Sequence, residues 1–169
     1  MGVGVVPPLD AVFARAAASF ALRNSDGLVC KQGSYKACSV LKLQKRSWTN
    51  DPMDRVENTS GIFFSIWTNE ASIGKNRARY NVHALKLREL EGYSIASRGF
   101  AEDFRNGFAG MRSDWPNVSV DYGPLTLMEG WIEIDSVYFE EDILGLMERF
   151  QTLSPLIDRL LKSRQKRQG

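Results

Sequence analysis

The stretch 62–68 constrains the fold most, because it carries large apolar side chains on both sides of an extended backbone. With the two-residue period of a strand, Ile62, Phe64 and Ile66 share one face. Phe63 and Trp67 share the other face. A strand of this kind is either covered on both faces or exposes one aromatic face to a partner. The chain therefore needs a sheet and at least one layer packed on it.

Apolar residues at helical spacing supply that layer. The stripe from Leu9 to Phe20 predicts a helix that ends near Arg23, before the turn-forming residues 24–27. A second stripe, from Phe100 to Met111, predicts a helix over 97–114. The C-terminal part predicts two further helices, one after the cap at 135–136 and a last one that begins at 154–155.

Alternating segments predict the strands. Residues 28–31 and 35–43 read as a hairpin that closes on Gly33 and Ser34, which would pair Val29 with Cys38 and point the two cysteines to opposite faces. In a cytoplasmic setting, both cysteines are expected to be reduced. Further strands are predicted at 80–87, 118–122 and 126–134, and a polar loop is predicted at 50–61. This order predicts an α+β fold with an antiparallel sheet of five to six strands and three to four helices packed mainly on one face. We expect a flexible lead-in at 1–8, a single domain at 9–161 and a basic disordered tail at 162–169.

The charge is unevenly distributed along the chain. The total of 22 basic and 20 acidic residues gives a net charge of only +2. Residues 1–98 hold 14 basic and 8 acidic groups, and residues 99–161 hold 4 basic and 12 acidic groups. The two parts can attract each other within one domain, or the basic part can face an anionic partner, including a second copy of the chain.

Few residues with catalytic or metal-binding chemistry are present. His83 is the only histidine, so a site with several histidine ligands is excluded. Cys30 and Cys38 are too few for a disulfide framework and lack the spacing of a zinc site. The carboxylates Glu129, Glu133 and Asp135 alternate on one strand face, followed by the acidic residues 140–142, without the lysine that a nuclease site would need. No metal, cofactor or catalytic residue is predicted.

A basic and aromatic set is the stronger candidate for function. The residues at alternate positions from 42 to 48 are predicted to lie on one side of a strand, and a basic loop is predicted before the fourth strand. The predicted binding face comprises Lys42, Gln44, Arg46, Trp48, Phe63 and Trp67, and the basic loop comprises Lys75, Arg77 and Arg79. If Lys42 and Gln44 share a layer with Phe63 and Trp67, that layer is an aromatic floor with cationic walls. If Leu41 and Leu43 share it instead, the layer is core.

Several short strings resemble one family. The strings 27–28, 31–35 and 40–45, together with Phe20 and Trp48, resemble the opening of a bacterial family catalogued as domain of unknown function 4304. Residues 62–67 resemble its next strand, where an asparagine is usual and this chain has Ser65. Trp131 and the turn at 153–156 resemble its C-terminal part. The resemblance covers most of residues 9–160, and it implies no activity because the function of that family is not established.

We therefore expect a small bacterial protein that binds another protein or a second copy of itself, as an adaptor or an immunity protein does. Aromatic and arginine residues are the usual anchors of such interfaces. One alternative is a nucleic-acid-binding module that uses the basic and aromatic set. The other is a small enzyme with a carboxylate site. A cytoplasmic location is expected, since no basic residue precedes Arg15 as a secretory signal would require and no apolar run is long enough for a membrane span.

Overall fold

The computed structural model describes residues 9–23, 27–57 and 60–167, so the predicted lead-in 1–8 lies outside the described residues. The predicted α+β fold with an antiparallel sheet is confirmed. The sheet has five strands in chain order, β1 beside β2 and so on to β5. The strands are β1 Val29–Tyr35, β2 Cys38–Gln44, β3 Gly61–Thr68, β4 Arg77–Leu85 and β5 Thr126–Glu133. The helices are α1 Leu9–Arg23, α2 Glu70–Gly74, α3 Ser97–Phe108 and α4 Phe139–Lys162.

The hydrophobic core lies between one face of the sheet and the helices α1, α3 and α4. The face is formed by alternate residues of the strands, and Phe64 at its centre is completely buried. The Phe64 ring stacks on Phe150 of α4 at 4.5 Å between centroids, and Phe150 also contacts Tyr80 of β4. The predicted apolar stripes of α1 and α3 are buried here, including Phe13, Phe20, Phe104 and Phe108. This is the helical layer that the two-sided strand requires.

The first hairpin turns three residues later than predicted. Tyr35 pairs with Cys38, and Lys36 and Ala37 form the turn with φ of 48° and 61°. A two-residue turn with both φ values positive matches the right-handed twist of the strands. Gly33 instead lies within β1, where an added Cβ would come 3.2 Å from Val56 Cγ1. The glycine therefore makes room for a packed loop, and the predicted pairing of Val29 with Cys38 is wrong.

The C-terminal helix is continuous where two helices were predicted. Pro155 lies inside α4 and has no N–H to donate to the carbonyl of Gln151, one turn earlier. The buried Ser154 hydroxyl donates a hydrogen bond to that carbonyl at 2.9 Å. Because the side chain supplies the donor that proline lacks, the helix passes through this point.

Two other predicted segments differ from the structure. Residues 118–122 do not form a strand, since only Ser119 makes a bridge to β5, through Glu129. The segment after Lys162 is docked where a disordered tail was predicted. The Arg164 guanidinium pairs with Asp103 of α3, and the Arg164 carbonyl accepts a hydrogen bond from the Ser94 N–H at 2.9 Å.

The opposite charges of the two parts of the chain meet within the fold. Each ion pair between described residues joins a basic group from 1–98, or Arg164, to an acidic group from 99–161. The pairs are Arg15–Glu140, Arg23–Glu148, Lys45–Asp158, Arg79–Glu129 and Arg164–Asp103. The charge asymmetry thus supports contacts inside the domain, and it gives no separate argument for a second copy. Within the described ranges, no helix has the length and apolar character needed to cross a bilayer.

Candidate functional site

The second face of the sheet, here called the open face, lies opposite the helical layer. The strand register sets its composition, because residues directly opposite each other on paired strands share a face. Lys42 pairs with Ser65, and Phe63 pairs with His83. Trp67 lies between Val40 on one side and Arg79 on the other. Lys42 therefore lies in the same layer as Phe63 and Trp67. Of the two arrangements considered from the sequence, this is the one with polar strand residues beside the aromatic side chains.

Gln44, the last residue of β2, lies on the same side of the strand as Lys42, but the set predicted at 42–48 is not brought to this face beyond it. The side chain of Trp48 is fully buried on the helical side, where its ring lies 5.1 Å from Phe64 and its Nε1 donates to Asp158 Oδ1 at 2.9 Å. The prediction that Trp48 is an exposed binding residue is therefore wrong. The chain leaves the strand at Gln44 and forms a 3₁₀ turn over Arg46–Trp48, so the alternation on which the prediction rested ends there.

The polar members of that set have internal partners. Gln44 is fully buried and its Nε2 donates to the Ile62 carbonyl at 2.9 Å. Lys42 is only 2% exposed, and its Nζ donates to the carbonyl of Arg55 in the loop that crosses the open face. Burial lowers the pKa of Lys42, and the neighbouring Asp51 and Asp54 oppose that shift. Arg46 is exposed and donates to the Asp51 carbonyl at 2.6 Å. Lys42 and Arg46 thus hold the 50–57 loop in place, Gln44 bonds to β3, and the three residues do not form a cationic wall.

The predicted basic loop divides into a strand part and a solvent-exposed part. β4 begins at Arg77, so Arg77 and Arg79 lie on the strand and point to the open face. The Arg77 guanidinium lies 4.0 Å from the Trp131 ring centroid, and that of Arg79 lies 5.8 Å from the Trp67 ring. Lys75 follows α2 and is exposed to solvent. The structure thus joins Arg77 and Arg79 to the aromatic face and leaves Lys75 outside it.

An apolar depression of about 260 Å³ occupies the part of the open face nearest the first hairpin. Its walls include Tyr35, Val40, Val56, Phe63, Trp67 and His83. The Lys36 ammonium lies 5.3 Å from the Tyr35 ring at one end, and Arg79 covers part of Trp67 at the other. The depression is large enough for one or two apolar side chains, and the basic groups next to its aromatic walls are Lys36 and the ion-paired Arg79.

Glu129 organises the polar part of the open face. Its carboxylate accepts hydrogen bonds from Arg79 Nη2 at 3.1 Å, from Asn81 Nδ2 at 3.2 Å and from the Tyr122 hydroxyl at 3.2 Å. The Asn81 Oδ1 in turn accepts a hydrogen bond from the Ser65 hydroxyl. Glu129 is therefore held by three donors and makes no carboxylate pair with Glu133. In the part of the chain that the structure describes, no three histidine, cysteine or acidic side chains are grouped to hold a metal ion.

Burial shifts the pKa of His83 and of Cys30 toward the neutral form of each side chain. The His83 ring lies 4.9 Å from the Phe63 ring at an interplanar angle of 38°, and burial lowers its pKa below the usual 6.5, so the ring is neutral at pH 7. Cys30 lies on the helical side, where burial raises the pKa of its thiol to about 12. Cys38 lines the depression, and its thiol lies 3.7 Å from the Lys36 carbonyl. Both thiols are free, as expected, and the register places them on opposite faces.

Sequence reasoning missed several members of the open face. In the sequence, His83 is a lone histidine, Trp131 belongs to the family resemblance and Glu129 belongs to a carboxylate cluster. Nothing in those three patterns connects the residues with each other. The signal that unites them is the alternation on β4 of Arg77, Arg79, Asn81 and His83, matched on β5 by Glu129, Trp131 and Glu133. That alternation is visible only if β4 begins at Arg77, three residues before the predicted start.

No protein-family model, curated protein or solved structure matches this chain. The resemblance to the domain of unknown function 4304 therefore stays a prediction, as do the bacterial origin and the cytoplasmic location that accompany it. The function has to be argued from the open face itself.

Proposed function

We propose that this protein is a non-enzymatic interaction module that binds a segment of another protein on its open face. The observation that carries the proposal is the apolar depression between Tyr35 and Trp67, which lies on the sheet face opposite the helices and has the Lys36 ammonium over its Tyr35 wall. Protein interfaces concentrate their binding energy in aromatic and arginine residues around such a pocket.

The shape and charge of the depression favour one chemical class of partner. Its walls are aromatic or aliphatic at Phe63, Trp67, Val40 and Val56, so the group that enters should be an apolar side chain. Lys36 is exposed at the hairpin turn, and a carboxylate beside the apolar side chain would complement its charge. The proposed ligand is therefore a peptide segment with an apolar anchor next to acidic residues.

The buried network beneath the depression keeps the site in one shape. Ser65, Asn81 and Glu129 are joined by hydrogen bonds across three adjacent strands, β3, β4 and β5. The loop at 50–57 is held by Lys42 from below. Because its walls belong to strands and to a pinned loop, the site should lose little conformational entropy when a partner binds.

Selection from a random peptide library displayed on phage tests this proposal with the purified protein as bait. We expect enriched peptides to contain an apolar residue beside acidic ones. Trp67→Ala and Lys36→Glu should each weaken their binding at least about tenfold, which corresponds to the loss of one anchor. Val137→Ala is the matched control, since Val137 is 94% exposed but lies on the helical side. Enriched peptides whose affinity is indifferent to Trp67→Ala would contradict the proposal.

A second function, binding of single-stranded nucleic acid, is favoured by one observation. Arg77 with Trp131 and Arg79 with Trp67 set cations and rings side by side, as a phosphate backbone with stacked bases needs. Two features weigh against it: Arg79 is already paired with Glu129, and Arg77 lies directly opposite Glu133. Binding of a labelled oligouridylate that is lost in Arg77→Glu would establish this function in place of the first.

A further inference from the structure

The outer edge of β1 is the second surface of interest, and it is distinct from the open face. Among the described strands β1 pairs only with β2, so it forms one end of the sheet. The two-residue turn makes Tyr35 and Cys38 a hydrogen-bonded pair, and hydrogen-bonded and non-hydrogen-bonded pairs alternate from there along the ladder. The backbone N–H and C=O groups of Cys30, Gln32 and Ser34 therefore point away from β2. Among the described residues, these groups have no backbone partner.

Helix α1 borders this edge with a surface of small residues. α1 packs over β1 and β2, and α4 lies on its inner side, where Arg15 and Arg23 of α1 pair with Glu140 and Glu148. The side opposite those arginines faces the free edge of the sheet. Helical spacing places three alanines there, Ala14, Ala17 and Ala21, of which the first and last are exposed.

From these two features we propose that the protein forms a twofold homodimer in which the β1 strands of two copies pair antiparallel about Gln32. The pairing would join two five-stranded sheets into one sheet of ten strands. It would also bring the alanine sides of the two α1 helices together on the same face.

A second copy fits this edge better than an unrelated strand, because it supplies a strand to pair with β1 and a helix to pack on the alanine side of α1. The edge needs an extended segment, and the alanine side of α1 needs a helix that approaches closely. Strands lie about 4.8 Å apart, so two helices that each sit over a β1–β2 pair would be separated by roughly 10 Å. Helices with small residues between them pack at about 8–10 Å.

The register about Gln32 also avoids a charge conflict. Lysine in the middle of an edge strand commonly opposes pairing with another strand. In the proposed register Lys31 of one copy lies opposite Gly33 of the other, so no two lysines face each other directly. Cys30 would lie opposite Ser34, and Val29 opposite Tyr35. The strand is thus compatible with its own copy in the antiparallel arrangement.

Sedimentation velocity and site-directed cross-linking test the dimer. The wild-type chain should show a concentration-dependent dimer at up to about 100 µM, and Gln32→Pro should be monomeric. Proline removes an outward N–H at the centre of the edge, a position where the fold itself tolerates it. Circular dichroism checks that this variant is folded.

The cross-link is independent of the proline variant. In a background with Cys30→Ser and Cys38→Ser, Gln32→Cys should form an intermolecular disulfide, since hydrogen-bonded pairs have Cα atoms about 5.5 Å apart. The matched control Lys31→Cys should not, because its opposite residue is Gly33. A monomeric wild-type chain overturns the proposal. So does a dimer in which Gln32→Cys fails to cross-link, because another surface then forms the interface.

Discussion

At the scale of single residues, burial separates the aromatic side chains into two classes. Trp48 and Phe64 are fully buried against α4, whereas Phe63 and Trp67 are half-buried on the open face. The residues alternate along β3, so neighbours in sequence have opposite roles. Phe64 is part of the core, and Trp67 keeps part of its ring exposed on the open face.

This division predicts different costs for two substitutions in the same strand. Phe64→Ala should lower the free energy of unfolding by about 3–5 kcal/mol, because it leaves a cavity beneath Phe150. Trp67→Ala should lower it by only about 1–2 kcal/mol, because the indole is half-buried and its main partner is the Arg79 guanidinium. Urea unfolding of both variants measures the difference. Equal costs would mean that the open face is part of the core and would remove the proposed binding surface.

At the scale of elements, the long helix α4 connects the helical layer to the residues that follow β2. Asp158 of α4 accepts hydrogen bonds from Trp48 Nε1 and from the Lys45 ammonium, which lies 2.6 Å from Oδ2. This contact lies in the turn of α4 that follows Pro155. A break at the proline would redirect the segment that carries Asp158, so the continuity of α4 matters for the end of β2 as well.

The hydroxyl of Ser154 is therefore expected to stabilise the protein measurably. Ser154→Ala should cost about 1 kcal/mol in the free energy of unfolding, because a buried donor to the Gln151 carbonyl is lost next to Pro155. Thr152→Ala is the control, since its hydroxyl makes a similar bond to the Glu148 carbonyl at an exposed site with no proline. Thermal or urea unfolding compares them. The explanation of the continuous helix fails if the two substitutions have the same effect.

At the scale of the whole molecule, the segment after Lys162 is bound to the rest of the domain by several contacts. Its contacts extend beyond the ion pair with Asp103, since the Arg164 guanidinium also lies 5.3 Å from the Phe100 ring and the Lys166 N–H donates to the Gly92 carbonyl at 2.9 Å. These interactions join the end of the chain to α3 and to the loop before it.

Removal of this segment should therefore lower the melting temperature. Truncation after Lys162 removes the partly exposed Arg164–Asp103 ion pair and the two backbone hydrogen bonds that reach Gly92 and Ser94, for which we expect a loss of about 1–2 kcal/mol, or roughly 2–8 °C in a domain of this size. A chain that ends at Lys166 retains these contacts and should melt as the wild type does. Differential scanning calorimetry of both truncated chains measures the difference, and an unchanged midpoint after the longer deletion would show that the docking contributes nothing to stability.

The sequence by itself determined those features that depend on local periodicity. The stripe from Leu9 to Phe20 predicted the bounds of α1 closely, and the alternation around Phe64 predicted β3 within one residue. The same alternation separated Phe63 and Trp67 from the buried side chains. Because hydrophobic burial acts on the helical and strand repeats, the α+β class and the antiparallel sheet follow from the order of these patterns.

Only the tertiary structure decided where the chain turns and which layer receives each side chain. The turn at Lys36 and Ala37 has no glycine, while Gly33 is needed for contact with Val56, far along the chain. Trp48 enters the core because Asp158, 110 residues later, accepts its N–H. Pro155 remains inside a helix because Ser154 supplies the missing donor. In each case a long-range contact or a side-chain hydrogen bond outweighs the local preference, which is worth only about 1 kcal/mol at most positions and about 3 kcal/mol even for proline.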